Sequence, residues 1–412
     1  MFQRNKNIFK QNNANPFVKS YGRVLLLLIL LLTVGFTKTY AQYNVSENDD
    51  SRIKWREIKT NRFSIVYPDC YERSAQRLAV ALDTISWHVG RTLGTDALHI
   101  PVLIHTNSSK SNGMLAWAPK RMEFWTNTPP THYAYPWSWQ LAIHEYRHAC
   151  QMQALDKGIT NTLGNIFGEH IVGAVSGLIV PLWFMEGDAV VAETSMSPTG
   201  RGQAPDFKMQ TKAMLLEKGV PDFDKAKLGS RKDFVPNHYV FGYYLATYSR
   251  VLYGKDIFAD LSQATAEGWW KGAWFTKTKQ GKYKDKIVYE LLTDTLLKVW
   301  TKEKADWLQE GDISVLKEIS GEKETYSHYK NPIEIGEDSI LALQTSQFDL
   351  QTLVLITKEG VSRLKALPYL KHSYFDYNAG KILYTQDAIN HRWEQQNRSD
   401  IIEYDVLKKR YK

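Results

Sequence analysis

The residue types with the clearest chemical potential lie together in the segment HEYRH, which contains His144, Glu145 and His148. Residues four positions apart on an α-helix project from one face about one turn apart, so the two histidines can bind a single ion through their ring nitrogens. Glu145 follows the first histidine, which places its carboxylate beside the ion, where it can accept a proton from metal-bound water. The spacing therefore predicts a catalytic zinc site on a helix. The alternative is a helix that contains these residues by chance.

A catalytic zinc ion needs a third protein ligand. Glu186 in the segment WFMEGDAVVAE is the candidate, 38 positions after His148. The residues around Glu186 are mostly apolar, which indicates that its carboxylate is buried, and a buried carboxylate is costly unless it is paired or bound to a metal. The sequence thus predicts that His144, His148 and Glu186 bind one Zn²⁺. An ion-paired glutamate in the core is the alternative for Glu186.

The segment from Trp183 to Glu193 resembles the second zinc motif of the gluzincin metallopeptidases, above all of the aminopeptidase N and thermolysin-like clan. Glu186 matches the third zinc ligand of that clan and Gly187 the glycine that follows it. The resemblance covers about residues 60–310 in layout and is specific only at these motifs. It implies an α+β zincin-like metallopeptidase domain, with a small mixed sheet, the HExxH helix and a helical C-terminal part, that acts on a peptide or protein substrate.

Two further side chains are candidates for roles beside the metal. Glu193 lies two helical turns after the third ligand on the same face, so it is expected to orient a ligand histidine through the second ring nitrogen; a surface glutamate is the alternative. The clan also implies a Tyr or His that stabilises the oxyanion, in a YxxG pattern in the aminopeptidase branch. Tyr239 to Gly242 match that pattern. Tyr239 is therefore the predicted electrophile, and His238 and Tyr243 are its alternatives.

Residues Arg121 to Thr126 are expected to form the edge strand of the sheet, facing the cleft, where an extended peptide can add by main-chain hydrogen bonds. Glu123 in this strand resembles, only faintly, the glutamate that binds the substrate's amino terminus in aminopeptidases. The flanking residues depart from that family because no GAMEN string is present. The choice between endopeptidase and aminopeptidase action therefore stays open.

The N-terminus has the order of a secretory signal peptide over residues 1–41: a basic lead, an apolar core from Val24 to Phe36, and a small residue, Ala41, at the expected cleavage point. The core of 13 residues is shorter than the roughly 20 that a bilayer span needs. We therefore expect export to the periplasm, the cell envelope or the medium. An uncleaved membrane anchor is the alternative.

The formal net charge of +8 comes mostly from that N-terminal segment, which holds 6 basic residues and no acidic one. The rest of the chain has 46 basic and 44 acidic residues, a net charge of +2. A nucleic-acid partner is therefore not expected. The 2 cysteines, Cys70 and Cys150, exclude a disulfide framework and a cysteine-rich zinc module.

Residues 42–318 are expected to form the peptidase domain. Apolar alternation predicts strands at Arg62–Tyr67, His99–His105 and Arg121–Thr126, and apolar residues three and four apart predict a helix from Leu78 to Val89. The HEYRH segment is predicted to lie in a helix from Trp139 to Leu155. The apolar stretch 165–184 is predicted to be a buried connection rather than a membrane span.

Residues 325–412 change to short β-type runs separated by turns. Corresponding runs recur at intervals of 42 and 48 residues, a spacing typical of β-propeller blades, although any antiparallel β domain gives strands at similar intervals. Two blades cannot close a ring of at least four, so this segment is expected to be a partial propeller, and the chain a piece of a longer protein. The layout is similar to exported bacterial peptidases fused to a TolB-like β-propeller, through which a protein partner can bind.

The expected function is zinc-dependent hydrolysis of peptide bonds, with Glu145 as the general base. The main alternative is a catalytically idle protein whose peptidase-like domain and propeller bind partners or assist assembly at the cell envelope. A zinc hydrolase that acts on a glycan-linked substrate is a further alternative. The sequence does not indicate an oligomeric state.

Overall fold

A computed structural model describes residues 48–95, 98–129, 135–268, 277–278, 281–310, 319, 325–346, 349–368, 374–406 and 410–411. The predicted signal peptide, residues 1–41, lies outside these ranges. So does most of the predicted boundary between the two domains, because residues 311–318 and 320–324 are not among those described. Mixed α/β structure followed by an all-β region, as predicted, is confirmed.

The N-terminal region is mostly a mixed sheet of five strands in the order β1-β2-β3-β5-β4. The strands β2, β3 and β5 are parallel to one another, whereas β1 and β4 pair antiparallel to their neighbours at the two edges. The five strands are β1 (Trp55–Lys59), β2 (Phe63–Pro68), β3 (Ile100–His105), β4 (Ser111–Trp117) and β5 (Lys120–Thr126). The three predicted strands are confirmed to within two residues, and β4 was not predicted.

One face of this sheet packs against helix α1 (Glu72–Val89) and the helix that contains the HEYRH segment, α2 (Trp137–Leu155). Alternate residues of β2 are fully buried, among them Phe63 and Ile65, as expected for a strand that covers a core with one face. Helix α2 begins two residues before its predicted start. Side chains on all faces of α2 are buried, so α2 is the central helix of this region.

The remaining helices follow α2 in the chain. Among the described helices, α5 and α8 pack against each other most extensively, and α10 is the last described helix of this region. Their bounds are α3 (Gly158–Phe167), α4 (His170–Ile179), α5 (Leu182–Ser195), α6 (Pro205–Glu217), α7 (Phe223–Leu228), α8 (His238–Tyr253), α9 (Ile257–Gly268) and α10 (Asp285–Glu310); the two-residue strands β6 (Lys277–Thr278) and β7 (Gly281–Lys282) lie between α9 and α10.

The expectation of a buried connection over residues 165–184 is wrong. The segment forms the end of α3, all of α4 and the start of α5. Helices α3 and α4 lie at the surface, so the side chains of Phe167 and Leu178 are 66% and 83% exposed. Within the described ranges, no single helix is long and apolar enough to cross a membrane. The consecutive helices α4 and α5 pass that test of length and composition together, but the chain bends by 99° between them.

The C-terminal region contains two antiparallel sheets of four strands, in the orders β11-β10-β9-β8 and β12-β13-β14-β15. Leu341 and Leu353 of the first sheet and Ile382 and Tyr384 of the second belong to one buried apolar cluster. A propeller stays a prediction. The strands are β8 (Ser327–Gly336), β9 (Ser339–Ser346), β10 (Thr352–Thr357), β11 (Gly360–Ala366), β12 (Phe375–Asn378), β13 (Lys381–Ala388), β14 (Arg398–Asp405) and β15 (Arg410–Tyr411).

Candidate metal centre

The two histidines of α2 lie side by side, as their spacing predicts. Their ring centroids are 4.8 Å apart, and the two Nε2 atoms are separated by 3.2 Å. His144 is buried, and His148 is nearly so. Two ring nitrogens that face each other at this distance can share one cation between them.

Glu186 reaches the two histidines from α5, which packs against α2. Its Oε2 atom lies 3.3 Å from Nε2 of His144 and 3.4 Å from Nε2 of His148. The structure therefore brings together the three residues predicted as metal ligands, with ligand atoms within 4.8 Å of one another. They form the one such group of three or more His, Cys, Asp and Glu side chains among the residues that the structure describes.

Protons are distributed unevenly over this cluster. Burial opposes the charged form of His144, but hydrogen bonds with Glu186 and Glu193 outweigh it and raise the pKa of His144 to about 9. Burial also favours the protonated form of Glu186, whereas its hydrogen bonds to the two histidines hold its pKa well below the ordinary range. The cluster thus pairs an ionised carboxylate with imidazoles that a cation can recruit by displacing their protons.

Glu193 lies behind His144, as the two-turn spacing on α5 predicts. Its Oε2 atom is 3.1 Å from Nδ1 of His144, on the side of the ring away from Glu186. The carboxylate is buried, and burial alone would raise its pKa, but Arg201 and His144 lower it to about 2. Glu193 therefore stays ionised and can accept a hydrogen bond from His144, which leaves Nε2 free for a metal.

Arg201 is a residue of this site that sequence reasoning missed. It lies in a short 3₁₀-helix, Arg201–Gln203, and donates hydrogen bonds of 2.6 and 3.0 Å to the two carboxylate oxygens of Glu193. Its guanidinium carbon also lies 5.2 Å from the ring centroid of Tyr239. No motif spacing connects an arginine in this loop with α2, so no sequence signal was available to find it.

Glu145 points to the same cavity as the ligands and is 5% exposed. Burial raises its pKa above that of an ordinary carboxyl group, and the charges of His144 and His148 oppose the rise. A carboxylate with a raised pKa holds a proton more readily than an exposed one does, which suits a group that accepts and then returns a proton.

Tyr239 is placed by the first turn of α8. The side chain of Asn237 accepts hydrogen bonds from the backbone N–H groups of Tyr239 and Val240 and so fixes the start of this helix. The Tyr239 ring lies 6.3 Å from that of His144 and lines the cavity. Burial, together with the Glu186 carboxylate, raises the pKa of Tyr239 to about 12, so its hydroxyl group remains a donor near neutral pH.

The two alternatives to Tyr239 lie elsewhere. His238 packs against the Tyr239 ring, with centroids 4.5 Å apart, and Tyr243 packs against Phe207 and over Gly202. Neither His238 nor Tyr243 is among the residues that line the cavity around the cluster. Of the three predicted candidates, Tyr239 is the one beside the metal ligands.

The cavity, of about 220 Å³, is bounded on one side by Asn112, Gly113 and Met114 of the edge strand β4. The glycine at position 113 allows β4 to lie close to α2. A Cβ atom there would lie 2.6 Å from Leu141 and 2.8 Å from the Glu145 side chain, so a larger residue would displace the side chain of Leu141 or Glu145.

The expectation that β5 is the edge strand, with Glu123 facing the cleft, is wrong. Strand β4 pairs with the outer side of β5 and is itself the edge strand of the described sheet. Glu123 instead accepts a hydrogen bond of 2.5 Å from Arg121 and lies 3.2 Å from Nε2 of His105, whose Nδ1 atom is 2.9 Å from Asp49. Glu123 therefore belongs to a buried ionic group and is not part of the cavity lining.

In comparisons with known proteins, no protein-family model and no curated protein matches the chain.

Proposed function

We propose that this protein is an exported zinc metallopeptidase of the gluzincin type, which hydrolyses peptide bonds with Glu145 as general base. The observation that carries the proposal is the convergence of His144, His148 and Glu186 on one point, beside a buried glutamate in an open cavity. A protein that only binds partners gains nothing from burying Glu145 next to three metal-ligating groups, because burial of a carboxylate is costly.

The distances within the cluster fit a zinc ion. Ligand atoms about 2.0–2.2 Å from a tetrahedral zinc ion lie about 3.3–3.5 Å from one another. The three separations among the ring nitrogens and the Glu186 oxygen are 3.2, 3.3 and 3.4 Å. Two imidazoles and one carboxylate, with a fourth position left open to the cavity, also form the ligand set that catalytic zinc sites use.

Zinc held by His144, His148 and Glu186 would polarise the substrate carbonyl and lower the pKa of a bound water. Glu145 accepts the proton of that water and donates it to the leaving amine, for which its raised pKa is suited. Tyr239 keeps its proton near neutral pH and donates a hydrogen bond to the oxyanion. Glu193, held by Arg201, orients His144.

The edge strand β4 offers the binding mode for the substrate. In the described part of the sheet, β4 has β5 on one side and no strand on the other. An extended peptide can pair with that open edge and cross the cavity above Glu145. We assign no choice between endopeptidase and aminopeptidase action, because Glu123 does not line the cavity.

The two C-terminal sheets are proposed to be blades of a partial β-propeller. Each has four antiparallel strands, the number that forms a propeller blade. This region is the proposed binding surface for a protein partner. The signal-like order of the N-terminus supports a location in the periplasm, at the cell envelope or outside the cell.

Metal analysis of the purified protein and its Glu186→Gln variant tests the proposed site. The wild type is expected to contain about one zinc per molecule and to cleave members of a mixed peptide library. The variant is expected to lose both properties, because an amide is a poor zinc ligand. Equal, stoichiometric zinc in both proteins would remove Glu186 from the ligands, and zinc binding without cleavage of any peptide would favour the idle binding protein.

A further inference from the structure

Among the residues that the structure describes, no carboxylate contacts Nδ1 of the second ligand histidine, His148. Its Nδ1 atom instead lies 2.8 Å from Oε1 of Gln151, which follows it by one helical turn on α2. We propose that Gln151 is a positioning residue that fixes the tautomer and ring orientation of His148, so that Nε2 faces the metal. This inference rests on the proposed metal site and extends it to a residue that no sequence motif indicates.

The direction of the Gln151 amide follows from its other contacts. Its Nε2 atom donates to the backbone carbonyl of Met185, at 2.9 Å, and to Oδ2 of Asp188, at 2.7 Å. A carbonyl and a carboxylate can only accept hydrogen bonds, so the NH₂ end of the amide must face them. The amide oxygen is thereby turned towards His148.

The Asp188 carboxylate is held in place by two arginines and acts as a hydrogen-bond acceptor. It is fully buried on α5, and Arg147 donates to its two oxygens at 2.9 and 2.8 Å while Arg250 donates to one of them from α8. Arg147 is also fixed, because it donates to the carbonyl of Val89 at the end of α1. Asp188 therefore cannot turn to offer another atom to Gln151 without breaking its contacts to Arg147 on α2 and Arg250 on α8.

The consequence for His148 is a single choice of tautomer. An amide oxygen can only accept, so Nδ1 of His148 must carry the proton and donate to Gln151. The lone pair of the neutral ring then lies on Nε2, the atom 3.4 Å from Glu186. Outer hydrogen bonds of this kind set the orientation and basicity of metal-bound histidines.

The two ligand histidines are therefore oriented by different groups. Glu193 behind His144 is charged and linked to Arg201 at the cavity, whereas Gln151 is a neutral amide that is 1% exposed. A carboxylate in the place of Gln151 would meet the Asp188 carboxylate across the present 2.7 Å contact. A neutral group with one acceptor and two donors fits this position.

The first test compares Gln151→Met with Gln153→Met. The methionine keeps the length of the glutamine side chain but cannot hold the His148 ring by a hydrogen bond. Gln153 lies on the same helix outside the ligand set and serves as the matched control. Chelator competition is expected to show that Gln151→Met binds zinc about 10–100-fold more weakly than wild type does. Gln153→Met is expected to bind zinc with the wild-type affinity.

A second measurement needs no variant and separates positioning from general stability. Nitrogen NMR of the zinc-loaded wild type, with His148 assigned from a His148→Ala sample, is expected to show a proton on Nδ1 and metal on Nε2. Zinc on Nδ1, or zinc affinity in folded Gln151→Met equal to that of wild type, overturns the inference. If Gln151→Met does not fold, the NMR result alone decides.

Failure of the proposed metal site can be distinguished from failure of the inference about Gln151. A wild type that binds no zinc contradicts the metal site, while the tautomer of the neutral His148 ring can still be measured in the metal-free protein at alkaline pH. Protonated Nδ1 in that state supports the role of Gln151, and protonated Nε2 contradicts it.

Discussion

Replacement of Gly187 by alanine tests how the two helices that carry the site are held together. Gly187 lies on α5 directly after Glu186 and faces Gly242 on α8, the helix that begins with the Tyr239 segment. A Cβ atom on Gly187 would lie 2.1 Å from the carbonyl carbon of Gly242 and 2.3 Å from its oxygen. The contacting atoms are backbone, so the added methyl group can be accommodated only if the helices separate.

The size of the effect follows from these distances. Nonbonded carbon atoms approach to about 3.5 Å, so the two helices must move apart by about 1.4 Å at this point. Overpacking of this kind costs about 1–3 kcal/mol of unfolding free energy. Because Glu186 and Tyr239 lie on opposite sides of the contact, the displacement also misplaces them, and a shift near 1 Å can lower turnover on the order of a hundredfold.

Denaturant unfolding and peptide turnover of Gly187→Ala, each compared with wild type, measure the two effects. Gly173→Ala is the matched control, since Gly173 is also helical and a Cβ atom there would meet nothing within 4 Å. The unfolding free energy of the control is expected to rise by about 0.5–1 kcal/mol, because alanine is favoured over glycine inside a helix. A Gly187→Ala variant as stable and active as this control would refute the close-packing argument.

Two further predictions address the electrophile and the buried ionic group. Tyr239→Phe is expected to keep zinc and lose turnover on the order of a hundred- to a thousandfold; impairment of Tyr243→Phe instead, in the same peptide assay, would show that the assignment is wrong. His105, although buried, has a pKa raised to about 9 by Asp49 and Glu123. Its folded pKa exceeds the ordinary 6.5, so its stabilisation is complete below about pH 6.5 and lost as the pH rises through 9. The difference in unfolding free energy between wild type and His105→Asn should therefore be smaller at pH 9.5 than at pH 6 by on the order of 3 kcal/mol; an equal difference at both pH values would contradict this.

The parts of the fold that the sequence predicted are those set by local patterns. Alternation of apolar residues predicted β2, β3 and β5, the apolar repeat predicted α1, and helix start and stop signals predicted α2. The four-residue spacing of the histidines and the buried character of the Glu186 segment likewise follow from neighbours along the chain. These signals need no knowledge of which elements pack together.

The features that were missed depend on contacts between distant segments. Strand order is not encoded locally, so β4 and its Gly113 were not recognised and Glu123 was assigned to the cleft. Arg201 reaches His144 across 57 positions, and Asp188 meets Arg147 across 41. Surface exposure of the apolar residues in α3 and α4 depends in the same way on what packs against them.

The most direct test of the central claim is the comparison of wild type with Glu145→Gln. The amide keeps the shape of the carboxylate but cannot accept the proton of the water, and Glu145 is not one of the three clustered metal ligands. The account predicts equal zinc content in both proteins, turnover of peptide by the wild type, and no measurable turnover by the variant. Equal turnover by both proteins would contradict the role of Glu145, and peptide cleavage by neither would contradict the peptidase itself.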